Sequence, residues 1–187
     1  MATIADKSIH TPPQSQRANA NNSIFFITSQ VLLRSLLFAL TLAAACLMLT
    51  SKQTVEVYGI EATASYTHSP AFQFFTYVNI VAFVLSIASA FLAFLLEKGA
   101  LSPQYYLYLF LHDLILVAIF GSACAASTAV GWVGKYGNSH TGWTAICDHF
   151  GRFCNRIIAA VVLAYIGLAL FMILTAISAK RIASSHG

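Results

Sequence analysis

VLLRSLLFALTLAAACLM, residues 31–48, is an apolar run interrupted by one cation, Arg34. An unpaired charge in hydrocarbon costs several kcal/mol or more, so an Arg in such a run points to a partner inside the protein or to the membrane surface. The run lies within a longer segment, residues 24–50, and three similar segments follow at 72–96, 105–130 and 157–177. Roughly 20 apolar residues suffice for a helix to cross a bilayer. The segments are continuously apolar rather than alternating, and backbone in lipid must be satisfied inside a helix or a closed barrel. The expected fold is therefore an all-α membrane protein. It is a four-transmembrane-helix bundle over residues 24–177, with helices at about 24–50, 72–96, 105–130 and 157–177.

Composition agrees. Of 187 residues, 58% are hydrophobic and 9% charged, where a soluble domain carries about 25% charged residues. The polar tail at 1–23, with Pro12 and Pro13, predicts disorder. It is not a signal peptide, because the apolar run after it is too long and lacks a clear cleavage site. Residues 178–187 form a second short polar tail. The net charge of +4 comes from dispersed basic residues and makes no stripe, so nucleic acid is not an expected partner.

Four spans place both termini on one side. That side carries Lys7, Arg17, Lys98, Lys180 and Arg181, against Lys52, Lys135, Arg152 and Arg156 on the other. The small excess favours cytosolic termini.

The third segment holds one acid, Asp113. Arg34 lies ten residues beyond Ile24 and Asp113 eight beyond Tyr105. At about 1.5 Å per residue these are ~15 and ~12 Å into helices that run the same way. Opposite charges at one depth, each alone in its helix, predict a structural intramembrane ion pair that fixes helix register. A proton or ion relay would need further titratable groups. His112 is the one nearby, and its position turns it about 100° away on the helix.

Small residues at four-residue spacing mark faces where membrane helices approach closely. Helix two has Ala82, Ser86 and Ala90; helix three has Gly121 and Ala125, with Ser122 and Ala126 beside them; helix one has Ala39 and Ala43. Asn79, inside helix two, predicts an interhelical hydrogen bond. Tyr105, Tyr106 and Tyr108 at one border, and Trp132, Tyr136 and Trp143 at the other, form an interfacial aromatic belt.

Function outside the cell would reside in two longer loops, 51–71 and 131–156. The second contains Cys147 and Cys154, seven apart in an oxidising compartment, for which a disulfide is the direct reading. Asp148, His149 and His140 nearby leave a metal site as its rival. Cys46 and Cys124, at similar depth in helices one and three, are read as free buried thiols, with a second bridge left open. The chain contains no phosphate-binding glycine loop, HExxH or GxSxG, so no enzyme, cofactor or metal is expected.

Four stretches in order carry a family resemblance: VLLRSLLFALTLAAACLM with Arg34, YTHSPAFQFFTYVNI opening helix two, LFLHDLILVAI with Asp113, and GWTAICDHFGRFC with both cysteines. Together they resemble the plant Casparian strip membrane domain family, and within it the CASP-like proteins, which are MARVEL-related. Claudins and tetraspanins fit less well, since their signatures lie elsewhere or are missing. The resemblance implies a plasma-membrane protein with cytosolic termini that forms homo- and hetero-oligomers with related four-span proteins. It further implies that Arg34 and Asp113 are the family's paired charges, and that Cys147 and Cys154 are its outer-loop cysteines. The founding members build a membrane scaffold that blocks lateral diffusion and recruits secreted wall-modifying enzymes. The loop KQTVEVYGIEATASYTHSPAF lacks the acidic and aromatic signature of the strict Casparian strip members, so the expectation is the general scaffold role. The competing expectations are a small channel or transporter using Arg34 and Asp113, and a redox or metal module at Cys147, His149 and Cys154.

Overall fold

The computed structural model describes residues 14–57, 59–97 and 105–186. Four helices dominate it: α1 (Gln14–Leu49), α2 (Pro70–Glu97), α3 (Tyr105–Tyr136) and α4 (Gly151–His186). Each contains a stretch long and apolar enough to cross a membrane: Thr28–Leu49, Pro70–Leu95, Leu107–Tyr136 and Gly151–Lys180. This is the four-span helical bundle expected from the sequence.

The helices outrun the apolar segments that announce them. α1 begins at Gln14, not Ile24, so the tail expected to be disordered is helical from that point; residues 1–13 lie outside the described residues. α3 continues to Tyr136 rather than Val130. α4 starts at Gly151 rather than Ile157 and runs through the polar tail to His186. The reason is physical: hydropathy marks the apolar span, whereas a helix already nucleated adds one hydrogen bond for each further residue, polar or not. α2, at Pro70–Glu97, is close to expectation, and Pro70 suits its first position because a proline lacks the N–H that would find no helical acceptor there. Residues 98–104, between α2 and α3, lie outside the described residues.

The loop at 51–71 is not irregular. β1 (Lys52–Val57) pairs antiparallel with β2 (Ile60–Ser65), from Lys52 opposite Ser65 to Val57 opposite Ile60. Gly59 takes the left-handed φ of 78° that a two-residue connection needs. Val55, Ala62 and Ala64 face down onto the bundle core, while Lys52, Thr54, Glu56, Glu61 and Thr63 face out. A single 3₁₀ turn, Tyr66–His68, leads into α2.

The four helices form a ring in which α1 and α3 each pack against α2 and α4. At the hairpin end, Ser127 of α3 donates to the Ala71 carbonyl of α2 at 3.3 Å. Arg156 of α4 donates to the Thr50 carbonyl, at the end of α1, at 2.6 Å. Both faces of each helix are apolar, so the inward stripe is set by spacing. In α1 it comprises Gln30, Arg34, Leu37, Thr41, Ala44 and Met48, and in α4 Ile157, Ala160, Ala164, Gly167, Phe171, Leu174 and Ser178, all buried. Steps alternating between three and four residues are the repeat of left-handed helix packing. Leu37, Phe120 and Phe171 fill the centre, with the last two rings edge to face at 5.6 Å. The opposite faces expose Leu32, Ile87, Phe91, Ile115 and Ile166 to the surrounding bilayer.

Candidate functional site at the bundle axis

Arg34, Ser89 and Asp113 belong to the inward stripes of α1, α2 and α3, and all three are buried. The guanidinium reaches across the axis and grips Asp113 with both terminal nitrogens. One N–H donates to Oδ2 at 2.7 Å and the other to Oδ1 at 3.2 Å. The second nitrogen also donates to the Ser89 hydroxyl at 2.6 Å, and that hydroxyl donates onward to the Ser86 carbonyl at 3.1 Å. Parallel N–H···O bonds make a fork that fixes distance and plane together. One side chain therefore ties three helices at a single level.

His112 joins this cluster. Its Nδ1 lies 3.2 Å from Asp113 Oδ1, with the ring 28% exposed. The 100° offset separates the two Cβ directions, yet an imidazole is long enough to fold back onto the adjacent carboxylate. Asp113 only accepts, so in neutral His112 the proton sits on Nδ1 and Nε2 is left as an acceptor. Ser89 was not expected as a partner, and His112, expected to be turned away, meets Asp113 instead. The serine three residues after Ser86 was the available signal for the first.

Among the described residues Asn79 makes no bond between helices: its Nδ2 donates to the Phe75 carbonyl of its own helix at 2.8 Å, and its Oδ1 has no partner. Among the small residues, Ala82 and Ser86 are buried and Ala90 is partly so. A Cβ on Gly121 would touch Leu168 at 3.8 Å, so that position packs against α4, whereas Ala125 faces outward. Ala39 is likewise exposed.

At the hairpin end, Cys147 and Cys154 form a disulfide with Cα atoms 5.7 Å apart. Cys46 and Cys124 are free, the first exposed and the second buried. Among the described residues no group of three or more His, Cys, Asp or Glu is placed to hold a metal ion. Gln53 of β1 accepts from the Phe153 N–H in the first turn of α4 at 2.9 Å, occupying one of the donors that a helix start leaves unpaired. This couples the hairpin to the disulfide loop. Between them lies a cleft of about 520 Å³, bordered by Thr63, His68, Phe72, Trp143, Ile146 and Phe150.

Residues 25–170 match the family profile of the Casparian strip membrane protein domain. The chain is 42% identical over 181 residues to "CASP-like protein 1F1" of Vitis vinifera, covering 97% of this chain and 85% of that protein. It is 43% identical over 181 residues to "CASP-like protein 1F2" of Populus trichocarpa, covering 97% of each. A "CASP-like protein 1F1" of Ricinus communis is 36% identical over 186 residues, covering 100% of this chain and 99% of that one. No solved structure matches. With the domain matched over most of its length and relatives aligned nearly end to end, this chain belongs to the Casparian strip membrane protein family as a CASP-like, multi-pass membrane protein.

Proposed function

We propose that the protein is a non-enzymatic plasma-membrane scaffold with both termini in the cytosol. In this reading it self-associates with its own copies and related four-span proteins, organises a membrane domain, and recruits secreted wall-modifying enzymes at its outer loops. The observation that carries the reading is the fork of Arg34 on Asp113 and Ser89, which directs the interior charges at each other and so serves register. The exposed small residues Ala39 and Ala125 leave close-approach faces on α1 and α3 for neighbouring copies. Family membership supports the same role. Single-molecule photobleaching of labelled protein in lipid tests it: multi-step bleaching is expected, and a strictly monomeric population overturns it.

A channel or transporter working through the Arg34–Asp113 site is the alternative. It fits less well because Leu37, Phe120 and Phe171 are fully buried on the hairpin side of the pair. Reconstituted liposomes that pass no ion or solute under any gradient would remove it. Flux abolished by Asp113→Asn would instead favour it.

A further inference from the structure

We propose that Gln30 and Arg34 together hold a bound water molecule beside the ion pair, on the side facing the chain termini. Gln30 is 4% exposed, and neither its Nε2 nor its Oε1 has a hydrogen-bond partner among the described residues. Nε of Arg34, the guanidinium nitrogen that Asp113 and Ser89 do not use, is likewise buried and unpartnered. Gln30 precedes Arg34 by four residues, one helical turn, so both project from the same inward stripe of α1. Two side chains on adjacent turns of one buried stripe thus carry two kinds of unmet donor and one unmet acceptor. Buried polar groups are nearly always satisfied, and in a bilayer-embedded bundle no bulk solvent does it for them.

The pattern of unmet groups selects the ligand. The amide Oε1 needs a donor, while Nε2 and the Arg34 Nε need an acceptor. A metal cation would face two N–H donors and the guanidinium charge. An inorganic anion has no proton to give Oε1, and it would add a charge where Asp113 already balances Arg34. A neutral molecule that both donates and accepts fits, and water makes two to four such bonds in buried polar sites. Water held there completes the guanidinium's contacts, with Ser89 and Asp113 on the terminal nitrogens and water on Nε. The inference does not depend on the scaffold reading, since it concerns the cluster in a single chain.

The test uses the full chain, ¹⁵N-labelled, in lipid bilayers. Water-edited solid-state NMR is expected to show early magnetisation transfer from water to Gln30 Nε2 and Arg34 Nε. In Gln30→Leu the Arg34 Nε transfer is expected to fall several-fold and the melting temperature to drop. No early transfer to either nitrogen in the wild type overturns the proposal, and that measurement requires no variant. Transfer to Arg34 Nε that persists unchanged in Gln30→Leu overturns it too. So does a Gln30→Leu protein that melts above the wild type, the behaviour of a dry, unpaired amide replaced by an apolar side chain.

Discussion

Arg34 and Asp113 meet across the diagonal of the helix ring, not between neighbours. α1 packs on α2 and α4, and α3 on the same two helices, so the fork at 2.7 and 3.2 Å spans the bundle axis. Only a long side chain covers that distance, and the planar guanidinium suits it better than a Lys ammonium would. Through Ser89 the same side chain also pins α2. Rotation or sliding of any of the three helices would break at least one of these bonds.

Removing Asp113 alone leaves a cation unpaired in the core. Asp113→Ala is expected to destabilise the protein by about 3–5 kcal/mol, the usual cost of breaking a buried pair by one partner. Asp113→Ala combined with Arg34→Leu is expected to recover most of that loss, because no stranded charge remains. Reversible unfolding in mixed micelles measures both. A double variant as unstable as the single one would show that the pairing is not what the core depends on.

Ser86 and Ser89 offer a sharper comparison, since both are buried on one stripe of α2 and differ in their partners. The Ser89 hydroxyl accepts from the guanidinium, while Oγ of Ser86 has no partner among the described residues. Ser89→Ala is expected to cost about 1–2 kcal/mol, in the upper range for hydrogen bonds between membrane helices because one group is charged. Ser86→Ala is expected to be neutral or slightly stabilising, because it deletes an unmet hydroxyl. The two melting temperatures should therefore move apart, and equal losses would contradict the assignment.

What could be read from the sequence follows the physics of lipid. A lone charge in an apolar segment stands out, and helix rise converts residue number into depth, so the meeting of Arg34 and Asp113 was legible. The third partner was hidden because Ser89 resembles the small residues that allow close packing. His112 was misjudged because backbone phase describes Cβ directions and not the reach of an imidazole. The β-hairpin was missed although Val55 and Val57 on one side of Gly59, and Ala62 and Ala64 on the other, alternate with polar residues. Alanines and glutamates carry little strand preference, and that weakens the signal. Helix ends could not be read from hydropathy, since α1 and α4 continue beyond their apolar spans.

The disulfide closes a small loop, which limits its entropic effect. Replacing Cys147 and Cys154 by Ser, across a sequence separation of 7, is expected to cost about 2–3 kcal/mol from the loop-closure relation. The effect should be local to the hairpin end. Hydrogen exchange at the Phe153 amide, which donates to Gln53, is expected to quicken, while amides around Arg34 keep their protection. Uniformly faster exchange across all four helices would place the bridge in the global stability of the bundle instead.

Gly137 and Gly142 separate backbone strain from steric clash in the same loop. Both take left-handed φ, 69° and 72°. A Cβ on Gly142 meets nothing within 4 Å, whereas on Gly137 it would lie 2.6 Å from the Trp143 carbonyl oxygen. Asn138 and Trp143 bridge at this point: the Asn138 N–H donates to that same carbonyl at 2.8 Å, and the Trp143 N–H donates back at 3.1 Å. Gly142→Ala should therefore cost only the left-handed penalty, about 1–2 kcal/mol. Gly137→Ala adds displacement of a rigid carbonyl, an overpacking cost of about 1–3 kcal/mol. Limited proteolysis of the 137–150 loop in intact protein is expected to accelerate far more for Gly137→Ala. If the two variants are cleaved at one rate, the loop relaxes around the added carbon and the close approach of Gly137 to Trp143 does not hold its shape.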